Sequence, residues 1–367
     1  MRTVMVCVDS RATWSRALTV CEAIQGRQDL QLHLVLMGPA ADATAKQCGI
    51  RAEKWLYDGF QPYDLMVSMG PQQYESMAYL FSFYLDRLSS EIIPAVKPDV
   101  VISVTDRYES LAVAVAAALS NVHLAHIQGG EVSGGIDESM RHAITKLAHI
   151  HFPANQASAE RIIKMGEDPA FVFNVGCPAT DLLLRVDLGT DDGRPNILIC
   201  YNPVTTQGPK ENQQEMGAIL DAVQGFPVTT LGRIIGPNHD PGSEAVWAAI
   251  TERGLGADAS VGHSEFIRAI AHASVMVGNS SAGIREACYF GTPVVDVGIR
   301  QHLRTASRNV LTVYKPEREA IQAAIAAQLK HGRYPPEQPF GNGGAGKKIA
   351  ELLATMELPP IQKRIRY

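Results

Sequence analysis

Residues 100–127 read VVISVTDRYESLAVAVAAALSNVHLAHI, and this stretch decides the fold class. Two short apolar runs, Val100–Val104 and Leu124–Ile127, have the length of buried strands. The segment between them, Glu109–Leu119, has the pattern of a helix. A strand, a helix and a second strand in this order predict a β-α-β unit with two parallel strands.

The same alternation continues on both sides of this stretch. Further strands are predicted at Val4–Val8, Leu32–Met37, Phe171–Val175, Ile197–Cys200, Val228–Leu231, Val275–Val277, Val294–Val297 and Val310–Val313. Further helices are predicted at Tyr74–Ile92, Ser139–His149, Glu211–Val223, Glu244–Arg253, Glu265–Ala273, Gly283–Phe290 and Glu317–Leu329. Strand–helix alternation of this kind predicts an α/β protein built on doubly wound parallel sheets.

The length of 367 residues exceeds what a single hydrophobic core usually supports. A polar stretch with two glycines, three aspartates and a proline, Asp187–Pro195, predicts a linker. We therefore expect two Rossmann-like domains facing a central cleft, at residues 1–186 and 187–345. Residues 346–367 would form a terminal helix and tail that cross back to the N-terminal domain.

The composition narrows the class of partner. A hydrophobic share of 46% and a charged share of 19% are those of a globular protein. The net charge of −5 argues against nucleic acid, which requires a basic face. The six cysteines form no CxxC pair, and free thiols are typical of a reducing cytosol. No signal peptide and no apolar run of membrane-spanning length are recognisable, so we expect a cytoplasmic location and no membrane partner.

Polar residues follow the first and third predicted strands, where parallel sheets bind ligands. Arg11 and Ser15 come after Val4–Val8, and an arginine at such a junction can hold a phosphate or simply lie at the surface. Asp106 and Arg107 follow Val100–Val104 and suit proton transfer beside an anion. The alternative is that Asp106 only caps the following helix.

The densest group of polar residues lies in AHIQGGEVSGGIDESMRHAITKLAH, residues 125–149. Four glycines allow sharp turns and close approach of the backbone to a ligand. The candidate catalytic and binding residues of this loop are Gln128, Glu131, Asp137, Arg141 and His142. So many titratable groups beside so many glycines favour a functional site over a solvated turn.

Four histidines at positions 123, 126, 149 and 151 flank this loop. Their spacing matches neither HExxH nor a Cys/His zinc site. We therefore expect histidines that pack in the core, and we predict no metal.

Two glycine-containing turns of the second half follow predicted strands. GPNHDPG, residues 236–242, contains Asn238 and Asp240, and GNSSAGIREA, residues 278–287, contains Ser280, Ser281, Gly283 and Glu286. A strand, a small polar loop and a helix direct backbone N–H groups at a phosphate. Arg300 follows the strand Val294–Val297 and would close over a diphosphate. The serines can equally cap the helix without any ligand.

Two other glycine patterns do not indicate a nucleotide site. GNGGAGKK, residues 341–348, has the spacing of a phosphate loop but lacks its final Ser or Thr and follows no strand. No GxGxxG follows the first strand, which argues against a standard NAD site.

Taken in order, these motifs resemble the hydrolysing UDP-N-acetylglucosamine 2-epimerases of sialic-acid-type biosynthesis. The resemblance extends over nearly the whole chain and includes SRA at the N-terminus, TDRYES, GGEVSGGIDESMRHAITKLAHIHF, PVTT, PNHDPG and GNSSAGIREACYFGTPVVDVG. The GGE…IDES.RHAITKL and GNSS.G.RE…GTPV blocks are the most specific.

The resemblance implies a glycosyltransferase-B-like fold, with the sugar facing the N-terminal domain and the nucleotide bound on the second. It implies elimination of the nucleotide to a glycal, followed by addition of water that releases the 2-epimeric sugar. Asp106 and Asp137 would be the leading acid–base residues, with Glu131 and Gln128 beside them. The nucleotide-sugar would contact Arg11, Ser15, Arg107, Arg141, His142, Asn202, Asn238, Asp240, Ser280, Ser281, Gly283, Glu286 and Arg300. No metal or redox cofactor is implied, and related enzymes suggest a homodimer.

The chain departs from the family pattern at two positions. Gln128 stands where many members have a catalytic Glu, and Asn202 stands where we expect His before PVTT. Both changes keep hydrogen bonding and remove titration. Three alternatives therefore stay open: the same chemistry on a 2,4-diacetamido or GDP-linked sugar, a glycosyltransferase of this fold, and a non-catalytic nucleotide-sugar binder.

Overall fold

The structure, a computed structural model, describes the chain in segments: 1–37, 77–133, 135–190, 193, 195–227, 231–238, 240, 242–259, 261–304 and 306–366. Several predicted features lie outside these segments, namely the start of the predicted helix at Tyr74, Gly134, His239 and residues 228–230 of a predicted strand. The side chain of Arg11 lies outside the described part as well. The chain divides into two compact units: one of Met1–Glu131, Asp137–Leu184 and Phe340–Tyr367, the other of Val132–Ile136 and Arg185–Pro339.

The first unit contains a five-stranded parallel sheet in the order β2-β1-β3-β4-β5. Its strands are β1 (Arg2–Val8), β2 (Leu30–Leu36), β3 (Val100–Val104), β4 (His123–Ile127) and β5 (Ile150–Phe152). The described helices of this unit are α1 (Arg11–Gln25), α2 (Met77–Arg87), α3 (Ile93–Val96), α4 (Tyr108–Leu119), α5 (Ile136–Leu147), α6 (Gln156–Lys164), α7 (Pro178–Leu183) and the last, Ala345–Thr355.

Both faces of this sheet are covered, as the period-two geometry of a strand requires. Val4, Val6 and Val8 pack on one face with α1 and the last helix. Met5 and Cys7 point to the opposite face, which α4 and α5 cover. Buried on both sides, the strands are continuous apolar runs, and this is why the sequence identified them.

The last helix packs closely on α1 because it begins with glycine. A Cβ atom added at Gly346 would lie 2.5 Å from the backbone of Thr19. The carboxylate of Asp181 accepts from the backbone N–H groups of Ala345 at 3.0 Å and Gly346 at 2.8 Å. A protein carboxylate therefore occupies the N-terminus where GNGGAGKK resembles a phosphate loop.

The C-terminal tail continues along the first unit beyond this helix. His123 Nε2 lies 2.8 Å from the carbonyl oxygen of Pro359, and His149 Nε2 lies 3.0 Å from that of Ile361. Lys363 donates to the buried carboxylate of Glu167 at 2.6 Å. The tail is thus held by side chains near the edge strands β4 and β5.

The second unit repeats this topology with a five-stranded parallel sheet in the order β10-β9-β8-β6-β7. Its strands are β6 (Ile197–Cys200), β7 (Leu231–Ile235), β8 (Val275–Gly278), β9 (Val294–Val297) and β10 (Val310–Val313). Its described helices are α8 (Pro209–Val223), α9 (Ser243–Thr251), α10 (His263–His272), α11 (Ser281–Arg285) and α12 (Arg318–His331); the last helix of the chain, Ala345–Thr355, is then α13.

Most predicted strands lie where the structure has them, but Phe171–Val175 is wrong. Residues 169–171 form a turn of 3-10 helix, and Val172 makes only an isolated bridge to His151. The fifth strand is instead β5, which follows α5 almost directly and which the sequence did not indicate. The predicted helix Gly283–Phe290 is also broken, because α11 ends at Arg285 and 3-10 helix covers Ala287–Phe290.

In both units the strand order reverses once, and this reversal positions the candidate residues. The reversal lies between β1 and β3 in the first unit and between β6 and β8 in the second. Ligands of open parallel sheets bind outside the carboxyl ends of the strands at such a point. Asp9 and Asp106 follow β1 and β3, while Asn202 and Asn279 follow β6 and β8.

None of the helices in the described segments combines the length and apolar character needed to cross a membrane.

Candidate active site

Asp106 and Arg141 form an ion pair at the carboxyl edge of the first sheet. The side chain of Arg141 is 1% exposed, whereas that of Asp106 is 20% exposed. Arg141 also donates from Nη1 to the carbonyl oxygen of Glu131 at 3.0 Å. Burial alone would lower the pKa of Arg141, but the carboxylates of Asp106, Glu131 and Asp137 raise it above its ordinary value. Arg141 is therefore a permanent buried cation that joins α5 to β3 and to the loop after β4.

Asp106 does not cap α4, so the capping alternative is wrong. The N-cap of α4 is Arg107, which makes no side-chain capping bond. A threonine in the left-handed region, Thr105 with a φ of 69°, directly precedes Asp106. This conformation is unfavourable for a β-branched residue and turns the chain sharply after the strand.

Arg107 is engaged within the protein by Glu109. Its Nε and Nη2 atoms donate to the two carboxylate oxygens of Glu109 at 3.1 Å and 3.0 Å. Asp9 Oδ1 lies 3.8 Å from Arg107 Nε and accepts from the Thr13 hydroxyl at 2.5 Å. Burial raises the pKa of Glu109, and Arg107 opposes that shift. The predicted anion clamp is thus also a structural pair, with about a quarter of the Arg107 side chain exposed.

The side chain of Gln128 is buried in the protein core, 3% exposed. Its Oε1 atom accepts from Arg16 Nε at 2.9 Å, and its Nε2 atom donates to Cys177 Sγ at 2.7 Å. Gln128 also has a left-handed backbone, with a φ of 65°. Both ends of the amide are therefore used within the first unit, which suits a structural role better than contact with a substrate.

The other predicted residues of the first unit lie on two helices. Asp137 lies in the first turn of α5 and is half-buried. His142 lies one turn later, with Nε2 3.5 Å from Glu138, and burial lowers its pKa. Ser15 lies on α1, with its hydroxyl 3.5 Å from Arg16 Nη1. Arg11 is the first residue of α1.

Packing explains two of the loop glycines. A Cβ atom at Gly130 would lie 2.3 Å from the Ser158 carbonyl oxygen, and one at Gly129 would lie 2.7 Å from His126 Nδ1. Gly135 has open space around it. Gly129 and Gly130 are thus required for close packing within the unit, rather than for the close approach of a ligand that the sequence suggested.

The histidines are packing residues, as predicted. His126 and His151 are almost fully buried, His149 is buried, and each is hydrogen-bonded within the first unit. Among the described residues, no group of three or more His, Cys, Asp or Glu side chains could hold a metal ion.

Asn202 and Asn279 join the carboxyl ends of β6 and β8 in the second unit. The Asn202 N–H donates to Asn279 Oδ1 at 2.7 Å, and Asn279 Nδ2 donates to the Asn202 carbonyl at 2.8 Å. Asn202 Oδ1 in turn accepts from the Asn238 N–H at 2.9 Å. Asn238 Nδ2 donates to Asp240 Oδ2 at 2.5 Å. Three predicted binding residues thus form one network around Asn279.

The serine loop after β8 is shaped by capping and packing. Ser280 is the N-cap of α11 and accepts from the Ala282 N–H at 3.3 Å, so the predicted cap is confirmed. Gly283 allows close packing on β9, because a Cβ atom there would lie 2.9 Å from Val294 Cγ1. Ser281 and Glu286, at the two ends of α11, are half-buried.

Arg300 lies against this loop. Its Nη1 atom donates to the Asn279 carbonyl at 3.3 Å, and Gln301 Nε2 donates to the same oxygen at 2.9 Å. Arg300 is half-buried. The structure therefore brings Asn202, Ser280 and Arg300 together around Asn279 within the second unit.

Sequence reasoning missed the residues that hold these groups in place. Asn212 on α8 shapes the PVTT turn by accepting from the Val204 N–H at 2.7 Å, and Asn279 joins β6 to β8. His126 and Glu109 have the same kind of role in the first unit. Asn279 was recognisable, since it stands directly after a strand in GNSS; the partners of the others are too distant in sequence to be deduced.

Comparison with known proteins places the chain in a family. A profile described as UDP-N-acetylglucosamine 2-epimerase matches residues 22–354. A UDP-N,N'-diacetylbacillosamine 2-epimerase (hydrolyzing) of Legionella pneumophila is 32% identical over 98% of this chain and 97% of its own length. A UDP-N-acetylglucosamine 2-epimerase of Neisseria meningitidis serogroup B is 31% identical over 96% of this chain and 94% of its own length.

Solved structures show the same fold at low identity. The UDP-GlcNAc 2-epimerase from Neisseria meningitidis, bound to UDP-GlcNAc, superposes with a TM-score of 0.77 at 17% identity and covers 96% of this chain and 99% of its own. The Methanocaldococcus jannaschii enzyme, in complex with UDP-GlcNAc and UDP, has a TM-score of 0.77 at 15% identity with the same coverage. From the profile match and the two relatives above 30% identity, the chain belongs to the UDP-N-acetylglucosamine 2-epimerase family.

Proposed function

We propose that the protein is a hydrolysing 2-epimerase of a UDP-linked 2-acetamido sugar, with UDP-GlcNAc as the first candidate donor. The C2–H bond and the C1–O bond to UDP break to give a glycal. Water then adds its hydroxyl at carbon 1 and a proton at carbon 2 from the other face, which releases the free 2-epimer and UDP. The observation that supports this most directly is the Asp106–Arg141 pair, at the strand-order reversal of a chain that belongs to this family.

Asp106 and Asp137 are the proposed acid–base residues. Elimination needs a base for the proton on carbon 2, and hydration needs a group that returns a proton to that carbon. The guanidinium of Arg141 stabilises Asp106 as a carboxylate, the form that accepts a proton. Asp137 supplies a second, half-buried carboxylate on α5, the helix that also contains Arg141.

The other two predicted catalytic residues have supporting roles in this proposal. Gln128 makes hydrogen bonds to Arg16 and Cys177 and cannot transfer a proton. Glu131 is 6% exposed, and its backbone carbonyl is a partner of Arg141. We infer that Gln128 and Glu131 maintain the loop, while Asp106 and Asp137 carry out proton transfer.

The second unit is proposed to bind the nucleotide through Ser280, Ser281, Glu286 and Arg300. Arg300 provides a half-buried cation for a diphosphate beside the capped serine loop. Asn202, which takes the place of the expected histidine, is occupied by the network around Asn279. Arg11, Ser15, Arg107, His142, Asn238 and Asp240 stay predicted contacts of the substrate.

A 2,4-diacetamido sugar linked to UDP is the second candidate donor. The relative from Legionella is named for such a donor, and it is 32% identical along almost the whole chain. The relative named for UDP-GlcNAc is 31% identical, so identity alone does not separate the two.

The test is product analysis with both donors in D2O. The proposal predicts UDP, free 2-epimeric sugar and one deuterium at carbon 2, because that proton comes from solvent. Release of UDP without inversion at carbon 2, or with no deuterium there, contradicts the mechanism. Product only with an added acceptor indicates a glycosyltransferase, and tight binding of both donors without turnover indicates a binding protein.

The homodimer and the cytoplasmic location stay predictions. Light scattering after size-exclusion chromatography measures the first, and a clear monomer mass contradicts it.

A further inference from the structure

We infer that His126 is a positioning residue: a neutral imidazole that joins the end of β3 to α5 and thereby holds the Asp106–Arg141 pair in its working geometry. This inference rests on the proposed function only where turnover is measured. The bonding state of the imidazole can be tested independently of any activity.

The two ring nitrogens of His126 have different partners. Nε2 lies 2.7 Å from the carbonyl oxygen of Thr105, and Nδ1 lies 3.2 Å from the hydroxyl oxygen of Thr145. A carbonyl can only accept, so Nε2 bears the proton. Nδ1 then accepts from the Thr145 hydroxyl. The contacts thus select one neutral tautomer of an imidazole that is fully buried.

The Thr105 contact acts on the residue before the proposed base. Thr105 has a φ of 69°, which threonine adopts only when neighbouring groups hold it there. The Thr105 N–H donates to the Ile127 carbonyl at 3.0 Å, and the Thr105 carbonyl accepts from His126. Both polar groups of this peptide unit are therefore held by β4 and its side chains, and the direction of Asp106 follows.

The Thr145 contact acts on the partner of Asp106. Thr145 lies one turn after Arg141 on the same buried face of α5. Asp106, Arg141, Thr145, His126 and Thr105 form a closed ring of contacts that begins and ends at Asp106. A shift of α5 along its axis would break this ring at His126.

Gly129 indicates that the protein depends on this bridge. A Cβ atom at position 129 would lie 2.7 Å from His126 Nδ1 and 2.9 Å from Thr145 Oγ1. Any other residue there would separate the two bonded atoms. The first glycine of the GGE motif is therefore explained by the imidazole bridge.

The electrostatic surroundings keep the imidazole uncharged. Burial lowers the pKa of His126 to about 3, and the neighbouring cations His151 (when protonated) and Arg141 act in the same direction. The Thr105 carbonyl and Asp106 oppose the shift without cancelling it. His126 therefore holds position and transfers no proton near neutral pH.

The first experiment is a ¹⁵N correlation spectrum of the histidine-labelled full-length protein. The signal of His126 is assigned by its loss in His126→Gln. We expect the Nε2–H neutral tautomer throughout the range from about pH 7.5 to about pH 5.5. Titration of this signal within that range, or the Nδ1–H tautomer, overturns the inference whether or not the protein turns over any donor.

The second experiment compares Thr145→Val with Thr145→Ser. Valine has nearly the shape of threonine but no hydroxyl, whereas serine keeps the hydroxyl. With the donor that the wild type converts, we expect kcat of Thr145→Val to fall about tenfold or more, because small displacements of a catalytic group are costly. KM and the Kd for UDP should stay within about twofold, and Thr145→Ser should retain most of the kcat.

A purely structural role would give a different result. If Thr145→Val lowered the melting temperature but left kcat per folded molecule unchanged, His126 would be an ordinary core residue and the inference would be wrong. A limb lost from the pH–rate profile in His126→Gln would indicate proton transfer instead. If the wild type converts neither donor, the proposed function fails, and the spectrum alone decides whether the bridge exists.

Discussion

The carboxylate of Asp106 lies at the exposed end of an ion pair whose other end, Arg141, is buried. A buried arginine is tolerated only when its donors are satisfied, and here Asp106 and the Glu131 carbonyl accept from it. The pair thus has two effects at the scale of single residues: it stabilises the junction of β3 and α5, and it presents one carboxylate toward solvent.

Asp106→Asn and Asp137→Asn should each lower turnover by about 10²-fold or more, because each removes a proposed proton-transfer group. The asparagine at 106 still offers Arg141 an acceptor, so folding should persist. Turnover and UDP binding are measured side by side. Asp86→Asn, at an exposed position on α2, is the matched control. Near-normal turnover in either variant removes that residue from the acid–base set.

Arg300→Ala should weaken UDP binding about tenfold or more while changing kcat less, because a hydrogen-bonded cation for the diphosphate is lost. Gln301 still donates to the Asn279 carbonyl, so the loop should keep its shape. Calorimetric titration with UDP measures the effect, with the highly exposed Arg308→Ala as the control. A fall in kcat with unchanged UDP affinity would mean that the nucleotide site is misplaced.

Helix α13 shows how one element depends on a single small residue. Its N-terminal N–H groups are capped by Asp181, and Gly346 allows it to approach Thr19 on α1. The helix thereby covers Val4, Val6 and Val8, the part of the first core that β1 presents on this face.

Gly346→Ala should lower the free energy of unfolding by about 1–3 kcal/mol, the usual cost of overpacking a close contact. Alanine normally favours a helix over glycine, so the loss would have to come from the contact with Thr19. Thermal unfolding measures it. Gly256→Ala, where an added Cβ atom meets nothing within 4 Å, is the control. An unchanged melting temperature in Gly346→Ala would show that α1 and α13 can separate freely.

At the scale of the whole molecule, the C-terminal tail makes the first unit sensitive to acid. His149 accepts from the Leu124 N–H through Nδ1 at 3.1 Å and donates through Nε2 to the Ile361 carbonyl. Protonation of Nδ1 would end the first of these bonds. Burial lowers the folded-state pKa of His149 and His151, and lowers that of His126 to about 3.

The stability of the protein should therefore fall on acidification. The unfolded histidines have a pKa of about 6.5, so below that value the unfolded chain binds more protons than the folded one. The stabilising contribution is fully present above about pH 6.5 and is lost as the pH falls toward the folded-state pKa values.

His149→Asn tests this dependence. The Asn Oδ1 atom can replace Nδ1 as acceptor for Leu124 and does not titrate. Melting temperatures between about pH 7.5 and about pH 5.5 should fall less steeply in the variant than in the wild type. Equal slopes would mean that His149 does not contribute to the acid sensitivity.

What the sequence determined by itself is local. Buried parallel strands are short apolar runs, so Ile197–Cys200, Val294–Val297 and Val310–Val313 were predicted with the bounds that the structure has. Polar residues directly after strands were recognisable in the same way, and these include Asp106 and Ser280. Family membership followed from the order of the motifs along the chain.

The tertiary structure alone decided which side chains meet. Phe171–Val175 has the apolar character of a strand but pairs with β5 at only one residue, while the three-residue β5 is a strand because β4 pairs with it. The partner of Asp106 is Arg141, 35 positions away, and the partner of Gln128 is Arg16, 112 positions away. A hydrogen bond or strand pairing is a contact between distant segments, and local sequence contains no information on which distant segment arrives.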